Sequence, residues 1–219
     1  MATAEKVYEA AVMKRESHDL DSAFLLLEEA LDMGLNKPMD IIHDSVWHYL
    51  VDDPKWRPKM RDLLKRYAEE SEANMARKDE PGLPIQVEIT IVEEDTNIPV
   101  SNALIELVQA DEDGLYFNEQ SEFNPRIFAY LITNEKGECK ISTVYPGRYR
   151  DDANEEVPSH IHFQVEATGY RMYASEFAFA DDSVFQMSNN PEGVPVAQFH
   201  GNESDRTYRV RIELQPTEN

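Results

Sequence analysis

Two of the six histidines share a motif able to do chemistry: His160 and His162, in the stretch HIHF. On a β-strand, residues two apart leave the same face, so both imidazoles can meet one metal ion. The same spacing also suits two histidines on a wetted strand face, and a metal reading therefore needs further donors. Cys139 is the single cysteine and cannot complete a thiolate set; inside an expected hairpin strand it reads as a small buried residue. Glu166, four residues beyond His162, is one oxygen donor on the same strand face. Tyr116 and Tyr149 are two more, each just after a turn pair, Asp113–Gly114 and Pro146–Gly147. A free phenol ionises near a pH of about 10, but a trivalent cation is a strong enough local charge to hold it as phenolate. Hard oxygens beside imidazoles suit ferric iron better than zinc. Read singly, each tyrosine serves equally well as a core or turn aromatic with its hydroxyl in water.

Residues 1–80 carry helical spacing. Val7, Ala11 and Lys14 recur at helical intervals, and Ala23, Leu26, Leu27, Ala30 and Leu31 line one face of a second segment that stops at Gly34. Pro38 can open a third helix carrying Ile41, Ile42, Val46 and Leu50, and a fourth runs from about Pro58. The prolines and glycine of KDEPGLP (78–84) end this region. Beyond it the period is two, with strands expected at 85–93, 103–110, 127–133, 138–144, 160–167, 172–180 and 207–214. Seven short strands without intervening helices indicate an antiparallel β-sandwich over residues 85–219, behind an N-terminal α-helical region, 1–80.

The chain of 219 residues holds 43 acidic and 21 basic side chains, a formal charge of −22. No basic excess exists to displace counterions from nucleic acid or to dock on anionic lipid. The N-terminal stretch lacks the basic-then-apolar layout of a secretory signal, and one cysteine suits a reducing compartment, so a cytoplasmic location is expected.

Taken together, DGLY (113–116), FAYLITNEKGECKISTVYPGRY (128–149) and HIHFQVEATGY (160–170) resemble the intradiol ring-cleavage dioxygenases, non-haem ferric enzymes that open catechols between the two hydroxylated carbons. The resemblance covers about residues 85–214 and implies a prealbumin-like sandwich binding Fe(3+). By resemblance Tyr116 and His162 are equatorial ligands, His160 is an axial ligand, and Tyr149 is the axial tyrosine displaced when substrate binds. The implied partners are a small aromatic diol and O2. The family's N-terminal helices often mediate dimerisation, which would make residues 1–80 a homodimer contact or lid, with Trp47, Trp56 and Leu25–Leu27 as candidate contacts.

The chain also departs from the family, as a divergent member. Pro158 matches the family's Arg-Pro-x-His text, but Val157 stands where the charge-stabilising arginine is common. Loss of one such electrostatic contact costs a factor of roughly 10²–10³. Arg148 and Arg150, either side of Tyr149, are the candidates to replace it, although in an extended stretch they point away from Tyr149. A glutamine that the family often carries on the next strand falls near Glu176. HIHFQVE also resembles the cupin His-x-His-x3-Glu motif, without the flanking glycine. A second reading is a noncatalytic transthyretin-like binding module, which VEEDTNIPVSNALIELV (92–108) resembles. That module gives no reason to align two imidazoles with two phenols.

Overall fold

The computed structural model describes residues 3–116, 124–188, 190, 193–202 and 205–217. The chain divides into two compact units, Met1–Glu69 and Glu70–Asn219. In the first, α1 (Ala4–Glu16) and α2 (Leu20–Asp32) are followed by a 3-10 helix (Pro38–His43), α3 (His48–Asp52) and α4 (Arg57–Arg66). Asp19 caps α2 by accepting from the Ser22 N–H at 3.4 Å. The apolar face of α2 buries Ala23, Phe24, Leu27, Ala30 and Leu31.

The third helix expected from Pro38 is split. Asp44 is extended, with φ −74 and ψ 119. Its carboxylate accepts from the Val46 N–H at 2.9 Å, a local bond that competes with helix continuation. Two of the candidate dimer contacts, Trp47 and Leu27, are fully buried in this unit's own core, whereas Leu25 is 69% exposed. Trp47 is held there by donating Nε1–H to Tyr8 Oη at 3.0 Å, while the Tyr8 hydroxyl donates to Asp44 at 2.6 Å.

The second unit contains β1 (Glu72–Asn74), β2 (Pro84–Glu93), β3 (Leu104–Gln109), β4 (Ile127–Ile132), β5 (Glu138–Val144), β6 (Tyr149–Arg150) and β7 (Glu156–Val157). It continues with β8 (His160–Glu166), β9 (Tyr173–Phe179), α5 (Ser183–Ser188), β10 (Val196–Asn202) and β11 (Asp205–Leu214). Nine strands join in the order β1-β5-β2-β11-β10-β9-β8-β3-β4, and β6 and β7 form a separate ribbon. β10 links two leaves, pairing with β9 through Val196 and Ala197 and with β11 through residues 198–202. Between the leaves lie Ile85, Val87, Ile89 and Ile91 of β2, Ile161, Phe163 and Val165 of β8, and Tyr208, Val210, Ile212 and Leu214 of β11, all buried. Edge-to-face packing of Phe179 on Tyr208, with centroids 4.8 Å apart, ties β9 to β11.

The architecture is mostly β but not the purely antiparallel sandwich expected. β2 runs parallel to β11 over eight residue pairs, and β9–β10 and β1–β5 are parallel as well. Side-chain alternation has the same period in either direction, so it cannot report strand polarity. Helix α5 and strands β1, β6, β7 and β10 lie outside the expected elements: β1 falls within residues 1–80, expected to be helical, yet pairs with β5, and only Ala197 of β10 is buried, so no apolar alternation marks it. No helix among the described residues is long and apolar enough to cross a membrane.

Candidate metal centre

β8 turns Ile161, Phe163 and Val165 into the core and so directs His160 and His162 to the opposite face. The His160 Nδ1–H donates to the Pro158 carbonyl at 2.8 Å. A carbonyl only accepts, so Nδ1 must carry the proton and Nε2 presents its lone pair. That Nε2 faces His162 Nε2 at 3.1 Å, Tyr116 Oη at 3.1 Å and Tyr149 Oη at 3.5 Å. The imidazole planes stand at 86° to one another, and the two phenol rings meet edge-on at 70°. His160 and Tyr116 are nearly fully buried, at 3% and 5% exposure. Burial first, and the neighbouring His160 second, push the His162 imidazole down to about 4, which leaves it neutral at pH 7.

The tyrosines arrive from two segments whose backbones touch through glycine. Gly114 has φ +78, and a Cβ there would stand 2.2 Å from the Arg148 carbonyl oxygen. A Cβ on Gly147 would stand 2.2 Å from Glu112 O and 2.5 Å from Gly114 N. The Gly147 N–H donates to Asp111 O at 2.8 Å, closing the approach. The two turn glycines of the sequence motifs therefore pack against each other, and this contact holds Tyr116 and Tyr149 on one side of the His strand. Gly147→Ala is expected to cost about 1–3 kcal/mol through forced backbone separation, read as a lower denaturant midpoint of the metal-free protein.

Arg148 and Arg150, expected to supply positive charge at the centre, are engaged elsewhere. Arg148 donates Nε–H to Asp182 at 2.8 Å and Nη2–H to Ser183 Oγ at 3.0 Å. Arg150 donates to the Asn154 carbonyl at 2.8 Å. In the β6–β7 ribbon Tyr149 pairs with Val157 and Arg150 with Glu156, so alternation sends the arginines to the face opposite Tyr149. Val157 therefore lies beside Tyr149 and offers it an apolar wall. Glu166 lies on the His face but at the far end of β8, exposed and accepting from Gln164 at 2.8 Å. The carboxylate near the histidines is instead Glu176, its Oε2 3.7 Å from His160 Nε2. The Cys139 thiol is pushed up to about 12 by burial and stays protonated.

Asp182 was not anticipated. Its buried carboxylate accepts from Arg148, from the Ser159 N–H at 3.4 Å, and from the N–H groups of Val184 and Phe185 at 2.9 and 3.0 Å. Ser159 also donates its hydroxyl to the Pro146 carbonyl at 2.7 Å. One carboxylate thus ties the start of α5, the turn before Tyr149 and the residue before His160. Its only sequence signal is an Asp just ahead of a short helix, Ser183–Ser188.

The donor set suits one cation. A neutral imidazole has a single lone pair, yet three groups crowd His160 Nε2 within 3.5 Å. Ligand atoms about 2 Å from a shared ion lie roughly 3 Å from their neighbours, which is the spacing found. Two nitrogens and two ionisable oxygens are a hard-to-borderline set.

The fold is mostly β, with two phenols and two imidazoles gathered at one face of β8, and the family model described as Dioxygenase matches residues 58–192. The chain belongs to this family, as a divergent member of its intradiol ring-cleavage group. A curated relative, the catechol 1,2-dioxygenase of Acinetobacter baylyi, is 28% identical over 102 residues, 38% of this chain and 32% of that protein. The chain thus matches about a third of that relative's length. Among solved structures, catechol 1,2-dioxygenase from Pseudomonas arvilla C-1 superposes with a TM-score of 0.54 at 21% identity, covering 69% of this chain and 58% of the other. The dioxygenase domain of a dioxygenase–carbohydrate-binding fusion from Streptomyces sp. SirexAA-E gives 0.53 at 18%, covering 68% and 90%.

Proposed function

We propose that this chain is a non-haem ferric dioxygenase that opens a catechol-like aromatic ring between its two hydroxylated carbons, using O2. The observation that carries the reading is the gathering of Tyr116, Tyr149 and His162 within 3.5 Å of one nitrogen of His160. Those four side chains would hold the metal, and ferric iron there would supply Lewis acidity and an electron-accepting orbital for a chelated diol.

The chain's own residues do the rest. Pro158 locks the His160 tautomer, and burial keeps His162 unprotonated at neutral pH. Tyr149 is the more exposed of the two phenols and lies on a two-strand ribbon, so it is placed to yield its position and accept a proton from an entering diol hydroxyl. Val157 excludes water beside it without contributing charge. Arg148 and Arg150 support the ribbon from behind, Arg148 through Asp182. The N-terminal helical unit, Met1–Glu69, is read as contributing a homodimer contact, with exposed Leu25 rather than buried Trp47 at its surface.

The test is aerobic loading of the full chain with ferrous iron, followed by iron analysis, a visible spectrum, and O2 uptake with catechol. Bound iron, a red-brown tyrosinate charge-transfer band and one O2 consumed per ring opened support the proposal. A colourless, iron-free protein sinks it in favour of a noncatalytic module. Tyr149→Phe is expected to keep the iron but weaken and shift the band, since one of two phenolate donors is gone; an unchanged spectrum removes Tyr149 from the centre.

A further inference from the structure

The register of β9 against β8 brings a carboxylate to the same centre. His162 pairs with Glu176, while Ala178 lies opposite His160 and Ala174 opposite Gln164. Directly opposed residues in an antiparallel pair project to the same face. Glu176 therefore reaches the histidine face between two alanines, with room to approach. Its Oε2 is 3.7 Å from His160 Nε2 and 3.8 Å from His162 Nδ1. One ligand atom from each of the three residues lies within 4.8 Å of the others. Among the described residues no lysine or arginine pairs with Glu176: Arg148 is bound to Asp182, and Val157 occupies the neighbouring ribbon position. The Glu176 side chain is only 28% exposed, and a partly desolvated carboxylate facing two imidazoles calls for a cation.

We propose that Glu176 is a fifth protein donor of the metal centre, a carboxylate added to the two imidazoles and two phenols. This rests on the ferric reading above and extends it. Two phenolates and one carboxylate carry three negative charges, matching a trivalent ion and disfavouring divalent ones. As a further anionic donor, Glu176 raises the energy at which tyrosinate electrons reach the ion, so its loss moves the charge-transfer band to longer wavelength.

The experiment uses the full chain loaded aerobically with iron, in four forms: unaltered, Glu176→Gln, Glu176→Ala and Glu166→Gln. It reads the band position and the loss of ferric iron to a citrate competitor. Both Glu176 variants are expected to release iron at least about tenfold more readily and to show a red-shifted band, with Glu166→Gln matching the unaltered chain. Near-ultraviolet circular dichroism of the metal-free forms checks the fold; alanine is already the residue at 174 and 178 on this strand face. Iron retention and band position unchanged in both Glu176 variants overturn the proposal while leaving the four-donor centre standing. Failure of the unaltered chain itself to take up iron overturns both, and that result is seen before any variant is compared.

Discussion

His160→Ala is expected to abolish iron uptake, colour and O2 consumption together. The imidazole is the hub of the cluster: its Nε2 faces three other donors within 3.5 Å, and its Nδ1–H is spent on the Pro158 carbonyl. Removing groups that merely orient a ligand typically costs about 10–100-fold in metal affinity or activity. Loss of the proposed ligand at the hub should exceed that, more than about a hundredfold in retained iron under competition. The fold should survive, because the β8 side chains that fill the core, Ile161, Phe163 and Val165, are untouched. His200→Ala is the control: it alters a histidine on the exposed stretch of β10 and should leave iron binding and O2 uptake unchanged. Equal iron content in the His160 variant and the unaltered chain would refute the centre.

Asp182→Ala should give the largest loss of stability among single changes near the site. The carboxylate, 1% exposed, accepts from Arg148 and from three backbone N–H groups. Removing one partner of a buried pair costs roughly 3–5 kcal/mol. Arg148 is itself 35% exposed and partly rehydrates, so the lower end applies, about 3 kcal/mol. For a chain of this size that is a fall of roughly 6–12 °C in melting temperature. Burial alone would push the Asp182 carboxyl up. Hydrogen bonds from Phe185, Arg148 and Ser159, with the Arg148 charge, outweigh it and hold the group below the usual carboxylate range. A lowered folded value means the stabilisation is fully present above the unfolded value of about 4 and is lost as pH falls through the folded one. The metal-free protein should therefore lose stability in acid below a pH of about 4, and Asp182→Asn should flatten that part of the profile. Because Asp182 links the Tyr149 turn to the residue before His160, the loaded variant should also show a broadened charge-transfer band.

Much of this was legible in the residues. Alternation located β2, β3, β5, β8 and β11 to within a few positions, because each buries one face, while β4 and β9 were found as short apolar and aromatic runs. The pairing of His160 with His162 followed from the strand period, and the two tyrosines from motifs whose glycines prove to be touching. What escaped depends on partners distant in the chain. Strand polarity is invisible to a period of two, and β10 is too exposed to carry one. Glu176 gains meaning only once β8–β9 register sets it opposite His162, 14 residues earlier. Arg148 looked like a charge donor beside Tyr149 until the ribbon turned it toward Asp182. The third helix failed for a local reason, the Asp44 side chain competing for the Val46 N–H.

The pairing of β11 with β2 also governs how the chain is made. β11, residues 205–214, is inserted between β2 and β10 rather than added at an edge. Its partner residues Thr207 and Gln86 are separated by more than half the polypeptide, so loop closure over that span precedes the reward of pairing and folding is slow. Until β11 is in place, β2 and β10 each present an open hydrogen-bonding edge. The β unit is thus most prone to self-association while β11 is unpaired.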